Sequence, residues 1–383
     1  MSYDKALCWT LNILVVLFPR FQKIDVKPVT NNCFFFFKGG VGKTTTSASL
    51  AIAMANAGHK VALVSTDPAH SVGDAIQMDL TGGKLIDVPL FGSVGEGSLS
   101  AMEIDPKAAL AQFKGIVDSL ISSDTSASVG SSGSSQSFSS TLKSLGEIFD
   151  TLPAGTDEVV ALAKVVGLVK KGGFDRIVLD TAPTGHTLRM LSTPSFIVEL
   201  IDRVLSIAEK VNSNPTVKLF LSGAAAARGV QSLDDTADAA KAELISFQMQ
   251  MYDLDEIFSN EAQTEFLIVT IPTQLAVRES IRLLNDLSFE STPIKVRNIV
   301  VNQVLGEEDS EIFASRVANG QIQSIERLQR SVSSLSNPPL ITKVAYLDSE
   351  PRGVFGLKAL AHEMLLEELE ANATPHFQTN KNV

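Results

Sequence analysis

Short apolar runs separated by longer stretches of helical spacing set the pattern of this chain. Residues 34–37, 61–64, 174–179, 266–271 and 296–301 are runs of this kind. Apolar runs of that length, bounded by polar positions, read as strands buried on both faces. Residues 44–57 are rich in Ala and Ser with apolar residues at helical spacing, and Gly58 supplies a stop. Strands alternating with helices predict an α/β fold with a doubly wound, mainly parallel sheet. The runs end at polar residues, among them Asp67, Asp180 and Asn302. Ligands of such sheets sit at the carboxyl ends of the strands, so these positions are the first candidates for a site.

Other segments depart from the alternation. Residues 196–258 read as largely helical, interrupted at 212–215 and 223–227, and 105–260 reads as carrying, within it, a helical subdomain inserted into the sheet fold. The Ser/Gly-rich stretch 119–140 has too few apolar residues to offset its ordering entropy and is expected to be a mobile loop. Residues 1–33 form an N-terminal extension, 34–366 the main domain, and 367–383 a flexible tail. The apolar stretch 6–18 has the length of a signal-peptide core, but Asp4 offsets Lys5 and no small-residue cleavage site follows. A poorly structured extension is the alternative. No window reaches the roughly 18 apolar residues that span a bilayer.

Composition narrows the function classes. Apolar residues make up 44% of the 383 positions, enough for a buried core. A net charge of −11 argues against a nucleic-acid partner, which calls for a basic face. The two cysteines, Cys8 and Cys33, exclude a disulfide framework and a four-cysteine zinc site.

The candidate chemistry begins at Lys38-Gly39-Gly40-Val41-Gly42-Lys43-Thr44-Thr45. A Gly-rich turn opening onto a helix N-terminus aims backbone N–H groups at phosphate oxygens. Lys43 is spaced to reach the β- and γ-phosphates and Thr44 to hold Mg²⁺. The full pattern asks for glycine at position 37, where this chain has Phe37. Lys38, ahead of the loop, marks the deviant Walker A class of P-loop NTPases. Asp67-Pro68-Ala69-His70-Ser71 follows a strand, and Asp67 there can orient water beside a γ-phosphate or cap a helix. Asp180, at the end of another apolar run, has the Walker B arrangement and is a candidate Mg²⁺ partner. On residues 247–258, Phe247, Met249, Met251, Leu254, Ile257 and Phe258 form a Met- and Phe-rich stripe. Such a stripe serves either as apolar binding surface or as the subdomain's own core.

Three segments together, the loop 38–45, the stretch from Asp67 to Ser71 and Asp180-Thr181-Ala182-Pro183-Thr184-Gly185-His186-Thr187-Leu188-Arg189, resemble the ArsA/GET family of ATPases. This family comprises anion-transporting and tail-anchored-protein-targeting ATPases. Pro153-Ala154-Gly155-Thr156-Asp157-Glu158, Ile271 to Ser280 and Val300-Val301-Asn302-Gln303 extend the resemblance, which runs from Lys38 to about Leu366. It is similar to the bacterial- and plastid-type branch, which lacks the C-x-x-C pair. The resemblance implies a homodimer that uses ATP and Mg²⁺, with Lys38 reaching across to the partner's nucleotide and Asn302 reading adenine. Residues 349–353 fall where the family has a second adenine-contacting loop, with Ala345 where proline is usual. It also implies a cargo of hydrophobic transmembrane helices held in a groove at Phe247, Met249, Met251, Leu254 and Phe258, then released to a membrane receptor or insertase. An arsenite site is not expected, because both cysteines precede the loop. Phe37 leaves open a nucleotide-independent holdase, and an oxyanion-transport accessory ATPase stands behind it. The cytoplasm is the expected compartment, with a plastid or another organelle as the alternative if the true N-terminus differs.

Overall fold

A computed structural model describes residues 40–67, 69, 71–90, 97–125, 152, 156–171, 173–181, 187–212, 233–260, 264–289, 296–305 and 312–373. The chain divides into two compact units. One comprises the residues up to Ile104, Gly172–Thr187 and those from Ser259 onward; the other comprises Asp105–Lys171 and Leu188–Phe258.

The first unit holds all seven described strands. Strands β1 (Lys60–Ser65), β2 (Ile86–Val88), β3 (Ser98–Glu103) and β4 (Arg176–Asp180) form one sheet in the order β2-β3-β1-β4. Strands β5 (Phe266–Thr270), β6 (Val296–Val304) and β7 (Leu340–Ala345) form a second, in that order. Every pairing is parallel except β2 with β3. All residues of β4 and β5 are buried, as expected for parallel strands covered on both faces. The α/β class and the mainly parallel pairing match the sequence pattern, although the described residues give two sheets rather than one. The expected strand at 34–37 lies outside the described residues.

Helix α1 (Lys43–Asn56) packs on β1, β3 and β4. Ala48, Ala51, Ile52 and Ala55 are fully buried, as are Ser47 and Ser49. Small residues all round let this helix be enclosed on every side instead of showing one polar face. It also packs against α2 (Ser71–Ile76) and α9 (Gly353–Ala373). Helices α7 (Gln274–Phe289) and α8 (Ile312–Ser333) pack on each other and on the second sheet.

The second unit contains α3 (Pro106–Thr125), α4 (Thr156–Lys171), α5 (Thr187–Asn212) and α6 (Leu233–Ser259). Within 105–260, β4 belongs to the first unit and the four helices to the second. Two boundaries differ from expectation. The Ser-rich loop was expected from residue 119, but α3 continues to Thr125. Asp105 starts this helix by accepting the Lys107 N–H at 2.9 Å, and no Gly or Pro after Gly115 stops it. Likewise α9 runs to Ala373 across part of the expected flexible tail, because Leu, Glu and Ala from 365 to 371 are strong helix formers. Residues 126–140 and 374–383 lie outside the described residues.

Candidate nucleotide site

The site is built where α1 begins and β1, β3 and β4 end. Gly42 precedes α1 with φ of 84°, a left-handed conformation that glycine adopts without strain. A Cβ there would also overlap the amide nitrogen of Asn302. No side chain caps the helix start, an arrangement in which an anion can face the first N–H groups. Thr46 Oγ1 and the Thr46 N–H both donate to the Gly42 carbonyl, at 2.7 and 2.9 Å, which locks the first turn.

Strand register then gathers the acids. Ser65, the last residue of β1, pairs with Glu103 of β3 on one side and Asp180 of β4 on the other. Two carboxylates thus flank one serine at the carboxyl ends of three adjacent strands. Asp67 lies just beyond, with its N–H donating to Ser65 Oγ at 3.1 Å and its Oδ1 accepting from the Ala69 N–H at 2.9 Å. This is an Asx turn that shapes the segment after β1. Lys43 is only 4% exposed, and its Nζ donates to the Thr181 carbonyl at 3.5 Å. The Thr44 hydroxyl meets the Ser71 hydroxyl at 3.0 Å.

Asp180 decides what this arrangement is prepared to hold. It is fully buried, and neither carboxylate oxygen has a hydrogen-bond partner. Burial pushes its pKa up to about 7, while Lys43 and then the Thr44 hydroxyl pull downward and Asp67 and Glu103 push further up. An unpartnered buried carboxylate is costly unless something else completes it. A hydrated Mg²⁺ fits that need, since it favours one or two carboxylates with a hydroxyl and phosphate oxygens.

The profile of the anion-transporting ATPase family matches residues 30–366. The chain belongs to that family. It is 38% identical over 336 residues to "ATPase GET3B" of Arabidopsis thaliana, covering 84% of this chain and 76% of that one. It is 37% identical over 337 residues to "ATPase ARSA1" of Chlamydomonas reinhardtii, covering 83% of this chain and 40% of that one. Against "ATPase GET3" of Chaetomium globosum the identity is 31% over 313 residues, covering 80% and 84%. Membership makes the chain an ATPase in general terms and gives it the P-loop NTPase fold.

The structure brings Gly40, Val41, Gly42, Lys43, Thr44 and Thr45 together with Asp67, Asp180 and Asn302. Lys38 and Gly39, with Phe37 before them, lie outside the described residues, as do Pro68, His70 and residues 182–186. Asn302 is turned toward the loop: its Nδ2 donates to the Val41 carbonyl at 2.9 Å and its Oδ1 accepts from the Gln303 N–H at 2.9 Å. The amide thus tethers the loop to the end of β6, a role that the motif did not suggest. Gly353, at φ of 64°, begins α9 so close to Gln77 that a Cβ would sit 2.8 Å from its Oε1. Sequence reasoning assigned no role to Ser71 or Glu103. Glu103 sits as Asp180 does, an acid at the end of a buried strand, but its strand has no continuous apolar run to announce it.

The stripe on α6 requires a correction. Met251 and Leu254 are fully buried, Phe258 is 6% exposed, and Phe247 packs on Phe113 with ring centroids 4.7 Å apart. Met251, Leu254 and Phe258 therefore belong to the interior of the helical unit, whereas Phe247 is half-buried. Of the expected set only Met249 is exposed, at 59%, and Ile245 and Tyr252 flank it at 39% and 56%. The accessible stripe is thus Ile245, Met249 and Tyr252, spaced four and three residues apart on one helix face.

Proposed function

We propose that this chain is the subunit of a homodimeric ATPase that captures transmembrane helices of tail-anchored membrane proteins and delivers them to a membrane receptor or insertase. The observation that carries the reading is the buried Asp180 carboxylate, unpartnered beside Lys43 and Thr44. Bound Mg²⁺ would neutralise phosphate charge as the phosphoryl group transfers. Thr44 and Asp180 would hold that cation, and Lys43 with the opening N–H groups of α1 would hold the phosphates. Asp67, fixed by its turn, would orient water, and Lys38 would reach the partner's nucleotide as the deviant Walker A lysine. Asn302 would exchange its tether on Val41 for adenine, or keep the tether and present its second N–H.

The exposed stripe of Ile245, Met249 and Tyr252 supports an apolar client, since methionine adapts to varied apolar partners. The GET3 names of the relatives point the same way. Phe37 favours one second reading, a holdase that binds such helices without nucleotide turnover. The test is ATP turnover and capture of a transmembrane peptide by the purified chain, run beside Lys43→Ala and Phe37→Gly. Turnover abolished by Lys43→Ala, with capture responding to ATP, supports the targeting ATPase. Capture that ignores nucleotide in both the parent and Lys43→Ala supports the holdase. Absence of capture under all conditions overturns both.

A further inference from the structure

The six-residue helix α2 follows the Asp67 turn and carries Ser71 to the Thr44 hydroxyl. So short a helix has almost no stability of its own, and its position must be imposed from outside. Glu103, 3% exposed at the end of β3, supplies that constraint: its Oε1 accepts the buried N–H of Gly73 at 2.8 Å. Gly73 is itself packed closely. A Cβ there would stand 2.8 Å from the Met78 carbonyl and 3.5 Å from Glu103 Oε1, and the Gly73 carbonyl accepts the Met78 N–H at 3.0 Å. Gln77 closes the segment at φ of 63°, which is unusual for a side-chain-bearing residue. From Ser71 to Met78 the chain is therefore pinned at one end by Thr44, in the middle by Glu103 and at the far end by its own left-handed turn.

We propose that Ser71 is a second hydroxyl at the cation position marked by Thr44, and that Glu103 is the positioning residue that keeps it there through the Gly73 N–H. This rests on the ATPase reading of the site and adds to it two residues outside the phosphate loop. The Ser71 and Thr44 hydroxyls are in hydrogen-bond contact, so a hydrated cation on one is within reach of the other. A carboxylate on Gly73 makes a charge-assisted bond, stronger than a neutral acceptor would give. Releasing it frees the backbone two residues from Ser71.

The test is a Mg²⁺ titration of the intact chain loaded with a fluorescent ADP analogue, together with the affinity for that analogue in EDTA. Ser71→Ala and Glu103→Leu are each expected to raise the Mg²⁺ requirement by about 10-fold or more, the usual scale for losing an outer partner of a metal site. Affinity in EDTA should stay within about threefold of the parent, as neither residue is assigned to the phosphates. Glu103→Gln, whose amide oxygen can still accept from Gly73, should keep most of the Mg²⁺ response. The double variant should be no worse than the worse single one, because both substitutions break one connection. Ser71→Ala keeps the test decisive if Glu103→Leu fails to fold. An unchanged Mg²⁺ requirement in Ser71→Ala overturns the proposal. So does Glu103→Leu that loses affinity equally in EDTA, or Glu103→Gln that is as damaged as Glu103→Leu. A parent that binds no nucleotide sinks the ATPase reading itself, whereas a parent that responds to Mg²⁺ beside an indifferent Ser71→Ala sinks only this inference.

Discussion

The two candidate sites present opposite kinds of group. At the nucleotide site they are polar and buried: Asp180 has no hydrogen-bond partner, and the start of α1 has no side-chain cap. On α6 they are apolar and exposed: Ile245, Met249 and Tyr252 face outward while Met251 and Leu254 fill the interior. A buried acceptor without a partner costs about 1–3 kcal/mol, and only a cation or donor of the right size recovers it. Exposed apolar area costs about 25 cal/mol per Å², and any apolar surface recovers it. The first kind of deficit selects one ligand sharply, whereas the second accepts many of one class. A machine of the proposed kind, spending one fixed nucleotide on varied apolar cargo, would need both kinds.

The largest expected effect tests the polar half of this comparison. Asp180→Asn should lower ATP turnover about 100-fold or more, on the scale of losing a group that organises transition-state charge. The same change should raise thermal stability, because the amide is less costly to bury than an ionised carboxylate. Turnover and melting temperature measured on one preparation decide the matter. A variant both less active and less stable would make Asp180 a structural residue, and the contrast between the units would weaken. Next in size, Leu254→Ala should cost about 2–5 kcal/mol in denaturant unfolding, as for other fully buried leucines. A negligible cost would return Leu254 to the list of client contacts.

How much of this was legible in the sequence follows from the range of the forces involved. The strands at 61–64 and 266–271 were readable because burial on both faces writes itself as an almost continuous apolar run, and the strand at 296–301 from the shorter run Ile299-Val300-Val301. The β3 residues Ser98, Leu99, Ser100, Ala101, Met102 and Glu103 mix polar and apolar positions yet are almost all buried, so no continuous apolar run marked the strand or Glu103. The phosphate loop, Asp67 and Asp180 were singled out as candidates from local order alone. Asn302 was placed as a ligand contact, but its bond to Val41 spans 261 positions, and no local pattern encodes that. On α6 the spacing found an apolar face, but not which part of it the other helices would cover. Met251 is buried while Met249 is exposed, and the packing that decides this is long-range: Phe247 on the same helix meets Phe113, more than 100 residues away.

A third prediction concerns a polar group that sits in the helical unit and so tests whether the division is clean. Burial, then the hydrogen bond and charge of Asp157, push Glu158 from its ordinary 4.5 up to about 8. Below pH 4.5 the carboxyl is protonated in both folded and unfolded chains and costs nothing. Between 4.5 and 8 the unfolded chain ionises while the folded one holds its proton, so stability falls across that window and levels off above it. Glu158→Gln should remove this slope and gain about 1–3 kcal/mol at pH 8, read from melting curves between pH 5 and 8.5. Parallel curves for parent and variant would show that Glu158 is not held protonated.

The smallest expected effect on stability is the one that most sharpens the contrast. Replacing Ile245, Met249 and Tyr252 with serine, singly, should change unfolding free energy by no more than about 0.5 kcal/mol each, as for exposed positions without special contacts. If the stripe is the client surface, the triple variant should keep parental ATP turnover without client and lose capture of a transmembrane peptide. The comparison variant is Met251→Ala, two residues from Met249 on the opposite side of α6. It should destabilise the unit while leaving capture intact at temperatures where the unit remains folded. A client that instead needs Met251 would have to open the helical unit, and capture would then scale with that unit's stability across both sets of variants. Plotting capture against melting temperature separates the two mechanisms: surface binding leaves the exposed-stripe variants far below any common line, whereas opening places all of them on it.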